Sequence, residues 1–210
     1  MEIADILEKN IPNYKPDWRN ALAANEGYLF PDTYLIPKDA DINLVISLMR
    51  NNFDKKYETI DTKNSNLSKN EIIKVASIVE REAKFPDDRP MVASVILNRL
   101  KIGMKLDIDA TVQYAVANVQ CSTPSQSNIK CEWWKKELTA DDLNIVSAYN
   151  TYKNATLPPT PISNPGLFAL KAVANPAQTN YLYYVSDKSG HLHFAQTIQQ
   201  HNENIKKYGL

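Results

Sequence analysis

The chain has 210 residues, of which 43% are hydrophobic, and its 24 basic side chains equal its 24 acidic ones. This length is enough for one or two domains with a buried core. Because the charges cancel, the sequence excludes a general binder of nucleic acid or of anionic membranes. It also contains no apolar run approaching the roughly 18 residues that a membrane-spanning helix needs.

The first 24 residues have helical spacing, but no element precedes them that could cover their apolar face. We therefore expect residues 1–24 to be the end of an upstream module or linker. The remaining residues, 25–210, are then expected to form the main domain.

Three helices are predicted in the first half of the chain, because apolar residues recur there at three- and four-residue spacing. They span residues 41–57, 68–84 and 88–103. Asp41 is placed to cap the first helix, and Ser68 with Glu71 fits a capping box that opens the second. Pro86 favours an end to the second helix shortly before it.

The second half combines further helices with one strand pair. Residues 167–175 predict a helix after a proline-rich turn, and residues 201–208 predict a closing helix. Between them, Tyr181 to Ser186 and His191 to Phe194 have the composition of two strands joined by a turn. We predict an α+β fold, mainly helical, with a small antiparallel β-hairpin near the C-terminus.

Common catalytic motifs are absent: the sequence has no nucleophile elbow, phosphate-binding glycine loop or two-histidine metal motif. His191 and His193 share a face of the predicted hairpin, but without a nearby carboxylate they are more typical of surface residues, and no metal is predicted. Cys121 and Cys131 bracket a loop rich in Ser, Pro and Asn. Free thiols and a loop-closing disulfide both remain open for this pair.

The second predicted helix carries two glutamates, Glu80 and Glu82, on opposite borders of an apolar arc. The arc consists of Ile72, Val75, Ala76, Val79 and Ala83, and the opposite polar face of Lys74, Ser77, Arg81 and Lys84. Two positions in a helix differ by about 200°, so the two carboxylates cannot point into one cleft. This geometry excludes a glycosidase that uses them as a pair.

One of the two glutamates could still act alone as a general acid if burial raised its pKa. Glu82 lies in the last turn, where the helix dipole also favours the protonated form. The alternative is that both glutamates are solvated residues at the border of the apolar arc, with no role in catalysis. The spacing alone favours that alternative and does not choose between Glu80 and Glu82.

Several motifs in one order resemble the endolytic murein transglycosylase family, also described as YceG-like. They are EGYLFPDTY, ASIVEREA, VASVILNRLKIGMKLDIDATVQY, AYNTY, LPPTPISNPG and YLYYVSD followed by HFAQT and HN. The resemblance covers nearly the whole chain from Asn25 onward. Three positions depart from the family's usual pattern: Ala110 follows Asp109, Ala148 precedes YNTY, and Thr160 follows the two prolines. Each replaces a residue that stiffens or permits a turn.

The resemblance implies that Glu82 is the catalytic residue. Members of the family cleave the β-1,4 bond between N-acetylmuramic acid and N-acetylglucosamine within a glycan strand, and they leave a 1,6-anhydromuramic end. They have an N-terminal membrane helix and a LysM-like domain ahead of the catalytic domain, which faces the outside of the cell membrane. Residues 1–24 are then expected to be the remnant of that LysM-like module. Peptidoglycan strands are the expected partner, with cell-wall synthases as further candidates, and no cofactor is expected.

The matched motifs also supply candidate substrate-binding residues, which could donate hydrogen bonds or stack on sugar rings. They are Glu26, Asn98, Asp109, Thr111, Gln113, Tyr149, Asn150, Thr151 and Tyr152. For any one of them, a role in fixing a loop remains an equal alternative.

Two rival functions remain open at this stage. The first is a non-catalytic peptidoglycan-binding module of a cell-wall synthesis complex, against which the retained Glu82 argues. The second is a pyridoxal-phosphate lyase, a label that relatives of the family have carried. That chemistry requires a phosphate cup, and the glycine-poor loops offer none that is recognisable.

Overall fold

The computed structural model describes residues 2–63, 65–121 and 133–208. The described residues form helices and one antiparallel strand pair, which confirms the α+β prediction. The helices are α1 Glu2–Asn10, α2 Trp18–Ala23, α3 Ile42–Glu58, α4 Lys69–Glu82, α5 Arg89–Lys101, α6 Asp109–Cys121, α7 Ala140–Leu143, α8 Leu167–Ala174 and α9 Ile198–Tyr208. The strands are β1 Tyr183–Ser186 and β2 Leu192–Ala195.

Helix α4 is the centre of the main core and packs against α5, α6 and α8. The predicted capping box opens it: the Ser68 side chain accepts from the Glu71 N–H, and the Glu71 carboxylate accepts from the Ser68 N–H. The predicted apolar arc is fully buried. Burial of this arc, at about 25 cal/mol for each Å² of apolar surface, holds α4 inside the domain.

Ser77 does not lie on a solvent-facing side of α4, and that prediction was wrong. Its side chain is completely buried, and its Oγ accepts a hydrogen bond from the Ile162 N–H at 3.0 Å. The Ser77 carbonyl also accepts from the Ser163 hydroxyl at 2.9 Å. A buried hydroxyl is stable only where its hydrogen bonds are satisfied, and here the segment at 162–163 satisfies them.

The first helices form a second, smaller core with α3. Ala4 and Leu7 of α1 are buried against Trp18 of α2 and Val45 of α3. The apolar face of the first segment is therefore covered by elements that follow it in the chain. Because this core continues to Met49, it extends past the predicted boundary at residue 24. The division into an upstream remnant and a catalytic domain stays a prediction.

The hairpin near the C-terminus has the predicted position, with Tyr184 opposite Phe194. Two residues of α5 hold the chain that enters it. The Asn98 amide donates to the Thr179 and Tyr181 carbonyls at 2.9 and 3.0 Å, and Arg99 Nε donates to the Leu182 carbonyl at 2.6 Å. These bonds fix where β1 crosses the C-terminal end of α4.

Cys121 ends α6 and is disulfide-bonded, whereas Cys131 lies outside the described residues. The pairing of these two cysteines therefore stays a prediction. Among the described residues, no helix combines the length and the apolar character needed to cross a membrane.

Candidate active site

Glu82 is the last residue of α4, and the backbone turns into an extended conformation at Ala83. The Tyr184 hydroxyl of β1 donates a hydrogen bond to Glu82 Oε2 at 2.8 Å. Both side chains are half-buried, and Tyr184 packs against the main core. The carboxyl group is therefore oriented by a residue that is itself held by the hairpin.

Burial raises the pKa of Glu82 above its ordinary value, and the nearby negative charge of Asp109 adds to this effect. The hydrogen bonds from Tyr184 and from the Ala110 N–H lower the pKa, as does the positive charge of Arg81, but burial is the largest effect. The balance keeps a proton on Glu82 to a higher pH than on a solvated glutamate. Such a group can serve as a general acid.

Asp109 and Tyr152 complete the polar cluster around Glu82. The Tyr152 hydroxyl donates to Asp109 Oδ1 at 2.6 Å, and Asp109 is exposed at the first turn of α6. Burial and the Asp109 carboxylate both raise the pKa of Tyr152. The structure thus brings together three of the residues that the sequence singled out, Glu82, Asp109 and Tyr152, and adds Tyr184.

Thr111 and Thr151 are buried and bond to each other between their hydroxyls at 2.9 Å. The Thr151 hydroxyl also accepts from the Ile108 N–H at 3.1 Å. Buried Asn150 donates its amide to the Leu143 carbonyl at 3.0 Å. These three side chains bond inside the protein, so we assign them to holding the loops that carry Asp109 and Tyr152.

Asn98 and Gln113, two more of the predicted substrate-binding residues, donate hydrogen bonds to backbone carbonyls. The Asn98 amide holds the entry to β1, as described above. The Gln113 amide donates to the Lys135 carbonyl at 2.8 Å, which ties α6 to the segment that follows Trp133 and Trp134. Both side chains therefore position other parts of the site.

Glu80 faces a different part of the structure from Glu82, in agreement with the helical geometry. Its Oε1 accepts from Arg89 at 2.9 Å, and its Oε2 accepts from the Gly166 N–H at 2.9 Å. Glu80 thus joins α4 to the start of α5 and to the N-terminus of α8. Its contacts are those of a structural residue.

Glu26 and Tyr149 belong to a second cluster, which is centred on Tyr114 of α6. The Tyr114 hydroxyl donates to Glu26 Oε2 at 2.5 Å, and the Tyr114 and Tyr149 ring centres are 4.9 Å apart. Burial raises the pKa of Glu26, although the bond from Tyr114 lowers it. Glu26 and Tyr114 of this cluster line a cavity of about 550 Å³, which is also lined by Trp133 and Trp134.

The sequence did not single out Tyr184, and only strand alternation in YLYYVSD could have separated it from Tyr183. It also missed the partner of His193, whose Nε2 lies 2.9 Å from Asp187 Oδ2. His193 stacks on Tyr208 at 3.4 Å, so these contacts stabilise the hairpin. Within the described residues, no group of three or more His, Cys, Asp or Glu side chains could hold a metal ion.

Comparison with known proteins gives consistent matches. The model of the YceG-like family matches residues 1–207. A Bacillus subtilis protein named endolytic murein transglycosylase is 36% identical over 188 residues, which are 87% of this chain and 48% of that protein. A Streptococcus pneumoniae protein with the same name is 35% identical, and the match covers 87% of this chain and 32% of that protein. The chain therefore spans about half or less of these relatives.

A crystal structure of a yceG-like protein from Listeria monocytogenes has a similar fold. It superimposes with a TM-score of 0.77 and 31% sequence identity. The match covers 96% of this chain and 71% of that chain. The similarity extends over both cores, including the segment before residue 25.

Proposed function

Because the chain belongs to the YceG-like family, we propose that it is the catalytic part of an endolytic murein transglycosylase. Its substrate is the glycan strand of peptidoglycan, and the bond that it cleaves is the β-1,4 bond after N-acetylmuramic acid. The proposal extends to this chain the activity that names its Bacillus and Streptococcus relatives.

The observation that carries the proposal is the environment of Glu82. Its carboxyl group is half-buried, oriented by Tyr184 at 2.8 Å, and has a raised pKa. A glutamate that stays protonated in this way can donate a proton to a departing glycosidic oxygen. Glu80 is bonded to Arg89 and Gly166 and does not share this environment.

In the proposed reaction, protonated Glu82 gives its proton to the departing oxygen while positive charge develops at the anomeric carbon of muramic acid. The resulting carboxylate then removes the proton of that sugar's own C6 hydroxyl. The C6 oxygen bonds to the anomeric carbon, which closes the 1,6-anhydro ring and returns the proton to Glu82. No water is consumed, so a second carboxylate that activates water is not needed.

Digestion of purified glycan strands from which the peptide stems have been removed, here called stem-free strands, tests this function. The new ends are identified by mass spectrometry. We expect each new muramic end to be one water lighter than a reducing end. Reducing ends would instead indicate a hydrolase, in which exposed Asp109 would be the candidate to activate water. Strands of unchanged length would favour the non-catalytic binding module.

We expect Tyr184→Phe to lower kcat roughly tenfold, because it removes the hydrogen bond that orients the Glu82 carboxyl group. The bond stabilises the carboxylate, so its loss raises the pKa of Glu82 further. The alkaline limb of the pH profile of kcat/KM should therefore move to higher pH. Asp109, Arg81 and the Ala110 N–H also act on Glu82, and this variant leaves them in place.

Tyr183→Phe is the matched control, since neighbouring strand residues point to opposite faces. The Tyr183 ring stacks on His201 with their centres 5.4 Å apart. Its pH profile should equal that of the wild type. If Tyr184→Phe lowered activity with no movement of the alkaline limb, the hydroxyl would not act on Glu82.

We also propose that the full-length protein is anchored in the cell membrane with this domain outside the cytoplasm, where murein lies. Cell-wall synthases are candidate partners there. In an oxidising compartment, Cys121 and Cys131 are expected to pair. The intact mass under non-reducing conditions should then be two hydrogens below that of the reduced chain. Two thiols that alkylate freely in protein recovered from that compartment would contradict the pairing.

A further inference from the structure

A cavity beside the C-terminal end of α4 is not used by the mechanism above. Its volume is about 550 Å³, and Glu82 is not among its lining residues. Ile3, Ile6 and Leu7 of α1 supply apolar lining, and Tyr114, Trp133 and Trp134 supply an aromatic wall. We infer that this cavity is a second saccharide site, which holds a sugar of the same glycan strand at a distance from the bond that is cleaved.

The inference rests on the proposed function, and the aromatic wall is its first support. Trp133 and Trp134 are half-buried, and the Tyr114 and Trp133 ring centres are 6.1 Å apart. The Arg81 guanidinium lies 3.5 Å from the centre of the Trp134 ring and holds that ring in place. Preordered aromatic surfaces of this kind can bind the apolar faces of sugar rings at a low cost in side-chain entropy.

Polar groups are placed where they could orient a sugar. Glu26 Oε2 accepts from Tyr114, whereas Oε1 accepts no hydrogen bond from a described residue. Ser163 and Asn164 also line the cavity. A mostly apolar pocket with a few convergent polar groups is the usual form of a small-ligand site.

The cavity lies close to Glu82 along α4, although Glu80, which points away from Glu82, also lines it. Arg81, which lines it, directly precedes Glu82 in α4. Tyr114 lies five positions after Asp109 in α6, a rise of about 7.5 Å along the helix axis. One or two sugar rings span an axial distance of this order, so we expect a strand bound at Glu82 to reach the cavity.

Charge favours a neutral sugar over the peptide stem of murein. The carboxyl groups of Glu2, Glu26, Asp32 and Glu80 line the cavity, whereas Arg81 is its one lining cation among the described residues. A stem carries carboxylates that Glu2 and Asp32 would repel. An N-acetylglucosamine ring of the strand carries no charge and avoids this repulsion.

Tryptophan fluorescence reports binding independently of activity. The chain has three tryptophans, and Trp18 is only 4% exposed within the smaller core, so a change on adding ligand arises from Trp133 and Trp134. Stem-free murein strands are titrated into Glu82→Gln protein, which is not expected to cleave them. We expect a saturable change, and about tenfold weaker binding when Trp134→Ala is added, equivalent to about 1.4 kcal/mol.

A kinetic comparison separates a binding role from a structural one. In otherwise wild-type protein, Trp134→Ala should lower kcat/KM about tenfold on long stem-free strands, but not on the shortest strands that are cleaved. Phe168→Ala truncates an aromatic residue that is 64% exposed on α8. This control should leave kcat/KM unchanged on both long and short strands. If Trp134→Ala does not fold, Tyr114→Phe removes only the hydroxyl that holds Glu26 and should weaken binding in the same direction.

Equal losses of kcat/KM on short and long strands would overturn the inference. The inference would also fail if stem-free strands caused no change in fluorescence. A loss confined to stem-bearing strands would assign the cavity to the peptide instead. If the proposed function failed, the wild-type protein would cleave no strand. The fluorescence titration does not depend on cleavage, so it would still show whether the cavity binds a strand.

Discussion

Glu82→Gln is expected to abolish cleavage of glycan strands without unfolding the protein. Glutamine keeps the size of glutamate and can still accept from Tyr184, but it cannot donate and recover a proton. General acid–base catalysis contributes about 10²–10⁴-fold, and here one group acts in both halves of the reaction. We therefore expect a loss at or above the upper end of that range, measured as the rate of appearance of new ends.

The stability of Glu82→Gln should equal or exceed that of the wild type at neutral pH. Because the fold raises the pKa of Glu82, ionisation of this group in the folded state is unfavourable, and its contribution to stability falls as pH rises through the folded pKa. Glutamine does not ionise, so the stability of the variant does not fall in this way as pH rises. Thermal unfolding of both proteins across the pH range measures the difference.

Glu80→Gln is the control, because it lies two positions away and contacts different residues. It should keep most of the activity and lose some stability, since its carboxylate bonds to Arg89. Activity retained by Glu82→Gln, together with an inactive but folded Glu80→Gln, would show that the other glutamate is catalytic.

Gly27→Ala is expected to destabilise the fold by about 2–5 kcal/mol, the sum of backbone strain and overpacking. Gly27 has a φ of +93°, and an added Cβ would lie 2.7 Å from Pro161 Cβ. The Gly27 N–H also donates to Asn164 Oδ1 at 2.7 Å. Movement away from Pro161 would disturb this bond and displace Glu26. Denaturant unfolding of the variant gives the change in free energy.

Gly103→Ala is the matched control for backbone strain. Gly103 also has a positive φ, of +67°, but nothing lies within 4 Å of an added Cβ. Strain alone should then cost about 1 kcal/mol. If the two variants lost the same stability, close packing of Gly27 against Pro161 would not matter to the fold.

The sequence predicted those elements whose signals are local. The caps at Asp41 and Ser68 act within three residues, so α3 and α4 could be placed. Helix α6 was not predicted, because all but one of the residues from Ala110 to Ala117 are buried, which removes the amphipathic period. Ser77 was placed wrongly because its hydrogen-bond partner lies 85 positions further along the chain.

Contacts between residues far apart in the chain also limited what the sequence could predict about the candidate site. Helical geometry separated Glu80 from Glu82, but spacing could not say which of them is bonded to which partner. The difference arises from Gly166 and Tyr184, which are 86 and 102 positions away from their respective partners. Family resemblance selected Glu82. It could not separate residues that border the site, such as Tyr152, from those that hold its loops, such as Thr111.

Digestion of stem-free strands in water enriched in heavy oxygen tests the central claim most directly. If protonated Glu82 cleaves the bond and the C6 hydroxyl then attacks, the new muramic ends carry no heavy oxygen and are one water lighter than reducing ends. Glu82→Gln should yield neither kind of end above background. Heavy oxygen in the new ends made by the wild type would contradict the account, because water would then be the nucleophile.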